Sequence, residues 1–136
     1  MIQKFVLIII FFLFSSHNVN AKNFNWVDKV EDELGSTEFY IDKKSIKKID
    51  NYVYYWTLAN YLKYDPGENK EVKSVIAFNR IDCDDMGYQI VLMSIYDDYN
   101  GKGKILAHLI NPDTEEEKTY DPENSIAYQR HEKICN

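Results

Sequence analysis

Past residue 25 the chain runs in short stretches where apolar and polar side chains alternate, with Gly, Pro, Asn and Asp between them. Alternation with period two marks a strand that turns one face to a core. It predicts six strands: Asn25–Val30, Thr37–Ile41, residues 51–64, Glu71–Cys83, Tyr88–Tyr96 and residues 104–110. The third, "NYVYYWTLANYLKY", is rich in the aromatic and β-branched residues that favour sheets. "DPGEN" reads as a turn, and Asn100-Gly101 within "DDYNGKG" reads as a tight hairpin turn. "DKKSIKKIDN" breaks the alternation: Asp42 can cap one helical turn, with Ile46 and Ile49 turned inward. After the acidic "TEEEKTYD" the period becomes helical. Asp121 followed by Pro122 is expected to start a helix. On it Ile126, Arg130 and Ile134 form a stripe beside Ala127, His131 and Cys135. The expected architecture is α+β, an antiparallel sheet of about six strands with a C-terminal helix packed on one face. The third to fifth strands are apolar on both sides, so the sheet either curls on itself or has its second face covered by a partner.

The start of the chain changes what this domain must withstand. Lys4 precedes "FVLIIIFFLF" and polar "SSHNVNA", the order of a secretory signal peptide, with cleavage expected after Ala21. The apolar run falls short of the roughly 20 residues that span a bilayer. We therefore expect a signal peptide over residues 1–21, one domain over residues 22–136, and no transmembrane segment in the mature chain. No cysteine lies near the cleavage site to carry a lipid. The protein is expected to be exported, to the periplasm or to the cell surface and medium. Export makes Cys83 and Cys135, the only two cysteines, a disulfide by default. It would tie the helix to the end of the fourth strand. The acidic "NRIDCDD" around Cys83 opposes a reactive thiolate, and a metal site lacks neighbouring ligands along the chain.

Charge and candidate chemistry narrow the function. The chain of 136 residues carries a net charge of −6, which argues against a nucleic-acid partner. No metal or cofactor is expected. His108 and His131 are the histidines of the mature part, and no G-x-S-x-G or comparable frame surrounds a serine, so no enzyme is expected. "NGKGK" is too short for a phosphate loop. Two features could contact a partner. Lys43, Lys44, Lys47 and Lys48 make a basic knob suited to acidic segments or sulfated glycans. Tyr52, Tyr54 and Trp56 share one strand face, with Tyr55 opposite, and such side chains are enriched at interfaces.

The order of these pieces resembles the surface-adhesin protein E family of Gram-negative bacteria. It runs from Trp26 through "FYIDKKSIKK", "YVYYWTLANY" and "KSVIAFNRIDC" to a terminal "KICN", across essentially the whole mature chain. The resemblance implies an exported antiparallel sheet with a disulfide-tied C-terminal helix, sometimes dimeric, with Cys83 and Cys135 at the family's disulfide positions. It also implies a non-enzymatic, adhesin-like module that contacts a host matrix or serum protein, or an envelope protein. The aromatic sheet face would make that contact, or would pair with a second copy as a homodimer. The family's best-known member is a lipoprotein, and the missing lipidation cysteine makes a periplasmic or freely secreted form as consistent as surface display. The alternative is a periplasmic carrier or sensor holding a small apolar ligand between the sheet and the helix.

Overall fold

The computed structural model describes residues 26–31, 36–63, 71–111 and 118–136, and for residues 26–31 the backbone alone. The expected signal peptide, the turn at Pro66-Gly67 and the first half of the acidic loop lie outside the described residues. Seven antiparallel strands form one sheet: β1 (Trp26–Glu31), β2 (Thr37–Asp42), β3 (Lys47–Ile49), β4 (Tyr52–Tyr61), β5 (Ser74–Asp82), β6 (Tyr88–Tyr96) and β7 (Ile105–Ile110). One helix, α1 (Ile126–Cys135), follows. The strand order is β1-β2-β4-β5-β6-β7, with β3 also paired to β4.

The strand missing from the sequence reading is β3. Asp42 does cap a turn, as expected: its carboxylate accepts the Lys44 N–H at 3.2 Å, and the turn spans Lys43–Ser45. That turn interrupts a strand instead of leaving the sheet. Tyr61 to Thr57 pair with β2, and Tyr54 to Tyr52 pair with β3, along the same edge of β4. In the gap Ser45 Oγ accepts the Trp56 N–H at 2.9 Å and donates to the Asp42 carbonyl at 2.6 Å. A side chain thus satisfies the backbone donor that the broken ladder would leave orphaned. Ile46 packs on the core, but Ile49 is 57% exposed, a correction to its expected inward position. In β3 it alternates with Lys48, so it faces away from the helix side.

Burial divides the sheet into two half-cores. On the helix side Ile41, Val53, Tyr55 and Ile81 are buried, with Ile134 and Cys135 of α1 packed on them. The Cys83–Cys135 disulfide, with Cα atoms 5.6 Å apart, fixes the helix C-terminus at the end of β5. The helix begins later than expected. Ser125 is the N-cap, accepting the Tyr128 N–H at 3.1 Å, and Asp121-Pro122 lies in the approach to it. On the opposite side Leu58, Ile76 and Tyr96 form the second cluster, with Tyr40, Trp56 and Ile105 packed around it.

The β6–β7 connection covers part of that second face. Asn100 and Gly101 both adopt positive φ, 62° and 64°, as a tight Asn-Gly hairpin turn requires. The turn then folds onto the sheet. Asn60 Nδ2 donates to Asn100 Oδ1 at 2.9 Å, and the Asn100 N–H donates back to Asn60 Oδ1 at 2.8 Å. Fully buried Ser74 donates to the Asp98 carbonyl and accepts the Gly101 N–H. Replacing Asn60, which is buried, by Ala removes both bonds to Asn100 and should cost about 1 kcal/mol in chemical denaturation. An unchanged midpoint would mean that the turn is held by its own geometry.

Candidate functional site

The two-residue period of β4 sends Tyr52, Tyr54 and Trp56 to the face away from α1, and cross-strand pairing decides their neighbours. Lys47 pairs with Tyr54, and Tyr54 with Arg80, which pairs in turn with Gln89. Ile49 pairs with Tyr52, and Tyr52 with Asp82. Trp56 pairs with Phe78, Phe78 with Leu92, and Leu92 with Ile110, which is 79% exposed. The rings touch: Phe78 lies 5.0 Å from Trp56 and 5.9 Å from Tyr54, centroid to centroid. The Arg80 guanidinium sits 4.5 Å over the Tyr52 ring and donates to the Gln89 amide oxygen. Tyr52, Tyr54, Trp56 and Phe78 are half-buried.

The sequence-predicted residues therefore divide. Tyr52, Tyr54 and Trp56 come together with Lys47 on one face, and Lys43 and Lys44 sit exposed on the turn beside them. Lys48 is exposed but alternates to the other side, opposite Val53. Tyr55 is a correction to the expected contact set. It is only 2% exposed, roofed by α1, and the His131 ring lies 6.5 Å from it. Burial pushes the pKa of its hydroxyl up. Phe78, Arg80 and Ile110 belong to the aromatic face and were not singled out from the sequence. Only strand order and register bring them there.

The acidic stretch after β5 is an ion-paired corner. The Lys118 ammonium bonds to Asp82 at 2.7 Å and to Asp85 at 3.1 Å, and lies 6.0 Å from the Tyr52 ring centroid. Lys118 arrives there because Thr119 makes a two-bond bridge to Tyr88 at the start of β6. Its hydrogen bond to Asp82 holds the ammonium's pKa well above its usual range. Partial desolvation works against Asp85, yet the Gly87 N–H, Lys118 and the Tyr120 hydroxyl together hold its carboxyl below the usual range. Asp82 and Asp85, part of the acidic stretch around Cys83, are two arms of this corner. A Cβ at Gly87 would stand 2.8 Å from Lys118 Cδ and 2.9 Å from both Asp85 Oδ1 and the Tyr120 ring. Lys118, Asp85 and Tyr120 are tied to one another in this corner and have to shift, so Gly87→Ala should cost about 1–3 kcal/mol, read as a shifted denaturation midpoint.

The histidines do not converge. His108 Nδ1 is 2.8 Å from Ser94 Oγ on the aromatic side of the sheet. His131 Nδ1 is 3.4 Å from Asp121 Oδ2 on the helix side. The sheet separates the two pairs, so Ser94, His108 and Asp121 form no triad. Among the described residues no group of three or more His, Cys, Asp and Glu could hold a metal ion. No described helix is long and apolar enough to cross a membrane. Beneath α1 lies a cavity of about 330 Å³, lined by Phe39, Tyr55, Ala77, Ile90, Ala127 and Arg130 among others.

Fold and site together define a small disulfide-stapled α+β domain, one sheet face under a helix and the other bearing a basic-aromatic patch. Residues 26–136 match the model of the surface-adhesin protein E family, and the chain belongs to that family. Membership implies an adhesin-like, exported surface protein with a non-enzymatic role. Solved structures of Haemophilus influenzae protein E share the fold. Its selenomethionine form is 19% identical, covering 81% of this chain and 84% of that one, with a TM-score of 0.53. A second structure of it is 19% identical over 81% and 83%, with a TM-score of 0.52. Crystal form II is 22% identical over 71% and 79%, with a TM-score of 0.50. Among curated proteins none matches the chain.

Proposed function

We propose that the protein is an exported binding module that grips a protein partner through the face bearing Tyr52, Tyr54, Trp56 and Phe78. The partner is a host matrix or serum protein, or an envelope protein, and it presents an acidic segment to Lys43, Lys44 and Lys47. One observation carries this reading: the register of β3 on β4 sets Lys47 beside Tyr54 and exposed Ile49 beside Tyr52. Broad rings give contact area at low entropic cost, and a rim of like charge steers an opposite one. Trp56→Ala combined with Lys47→Glu should weaken capture of the partner at least tenfold while the far-ultraviolet circular dichroism stays unchanged. A protein that retains no matrix, serum or envelope protein, and stays monomeric in size exclusion, would count decisively against docking. Protease shaving of intact cells separates surface display from the periplasm: digestion supports a host partner, and protection an envelope one.

A second reading is favoured by the cavity under α1, which lies at the small end of the roughly 300–1,000 Å³ typical of ligand sites. In it the protein carries or senses a small, largely apolar ligand.

A further inference from the structure

The lining of this cavity is not uniformly apolar. Phe39, Ala59, Val75, Ala77 and Ile90 make an oily wall on the sheet side. At the helix side the polar groups gather. Arg130 lies with its guanidinium 4.8 Å from the Phe39 ring centroid, and no carboxylate among the described residues pairs with it. Tyr55 and Tyr88 reach the cavity from the sheet, and neither side-chain hydroxyl makes a hydrogen bond among the described residues. His131 is 4% exposed, and its Nδ1 and Asp121 Oδ2 are buried with no hydrogen-bond partner. Buried polar atoms of native proteins are paired in the great majority of cases, so an unmade bond between two buried groups beside a cavity is an observation to explain.

The chemistry of the cluster is lopsided. Arg130, Tyr55 and Tyr88 are donors in search of an acceptor, while the one carboxylate, Asp121, faces His131. Asp121 lines the same cavity but makes no ion pair with Arg130, and a guanidinium left to lie against an aromatic ring is matched by a planar carboxylate that can accept two N–H bonds at once. At about 30 Å³ for each water-sized group, the volume holds about ten such groups. We propose that this cavity binds a small monocarboxylate of about ten non-hydrogen atoms in all, its apolar body on the sheet side and its carboxylate on Arg130 and the two tyrosine hydroxyls. The proposal rests on the carrier reading above, and it adds the charge and size of the ligand. It does not depend on docking at the opposite face of the sheet.

Titration of the purified, oxidised protein with octanoate, and separately with 1-octanol, followed by amide and side-chain NMR shifts, tests it. Octanoate should give saturable shifts at Ala77, Ala127 and His131, with a dissociation constant of about 1 mM or tighter. Octanol should bind at least tenfold more weakly. Arg130→Met keeps an unbranched stem over Phe39 and should reduce octanoate to the level of octanol. Equal binding of both probes, or no effect of Arg130→Met, overturns the carboxylate while leaving the carrier reading standing. Absence of shifts with either probe, or shifts scattered over the exposed surface, overturns both. Ala127→Met, which fills the cavity from the helix side, should abolish the shifts at Ala77; persistence of those shifts would also overturn the site.

Discussion

The double variant Cys83→Ala/Cys135→Ala should lose about 4 kcal/mol of stability, and the helix should come off before the sheet does. The magnitude follows from the 52-residue separation, because an open chain of that length gains the entropy the bridge removes. The order of loss follows from where the contacts lie. Residues 126–135 hold to the body mainly through Ile134, Cys135 and His131 on the half-core of Ile41, Val53, Tyr55 and Ile81. The second half-core, of Leu58, Ile76 and Tyr96, is closed by the hairpin turn and owes nothing to the helix. Amide exchange should therefore show α1 losing protection first, while β4, β5 and β6 keep theirs. Urea denaturation of the oxidised and double-variant proteins gives the energy. A loss below about 1 kcal/mol would mean that packing alone docks the helix. Uniform loss of protection would mean that the two half-cores fold as one.

The strands were legible because each carries its own signal. Tyr88–Tyr96 falls on the observed strand to the residue, and the other long strands differ only at their ends, where period-two alternation gives way to polar residues. The disulfide was legible because export and an even cysteine count are facts of the chain, independent of its folding. β3 was hidden. "KKI" is three residues long with two lysines, and only the edge of β4 makes it a strand. The helix start was misplaced for a related reason. Asp121-Pro122 has the local chemistry of a cap, but the chain there must still cross from its bridge with Tyr88, and Ser125 is the first residue in position. Asp121 faces His131 instead, Oδ2 3.4 Å from Nδ1. The candidate face shows the same limit. Tyr52, Tyr54 and Trp56 share a side by parity alone, whereas Phe78, Arg80 and Lys47 join them only through register between strands. Tyr55 could be placed on the opposite side from sequence, but only the helix above it makes that side the interior.

The Asp121–His131 pair leads to the second large effect, a loss of stability in mild acid. His131 is buried against Tyr88, ring centroids 4.8 Å apart, and desolvation pushes its pKa down to about 4. Asp121 pulls the other way and Arg130 adds to the depression, but neither reverses the effect of burial. In the unfolded chain the imidazole returns to about 6.5. Between those values the unfolded state binds the extra proton, so stability rises with pH across this window. The contribution is complete above about pH 6.5 and is lost as the pH falls toward about 4. A shift of this size corresponds to about 3 kcal/mol, reduced to about 2 kcal/mol because Asp121 and its surroundings keep partial access to water. Urea midpoints measured at intervals from pH 7 to pH 4 should trace this loss. The His131→Gln variant, which cannot titrate there, should show a flatter profile, leaving only the carboxylates to act at the acid end. Parallel profiles for the two proteins would mean that His131 already takes up its proton in the folded state, with Asp121 stabilising the charge under the helix.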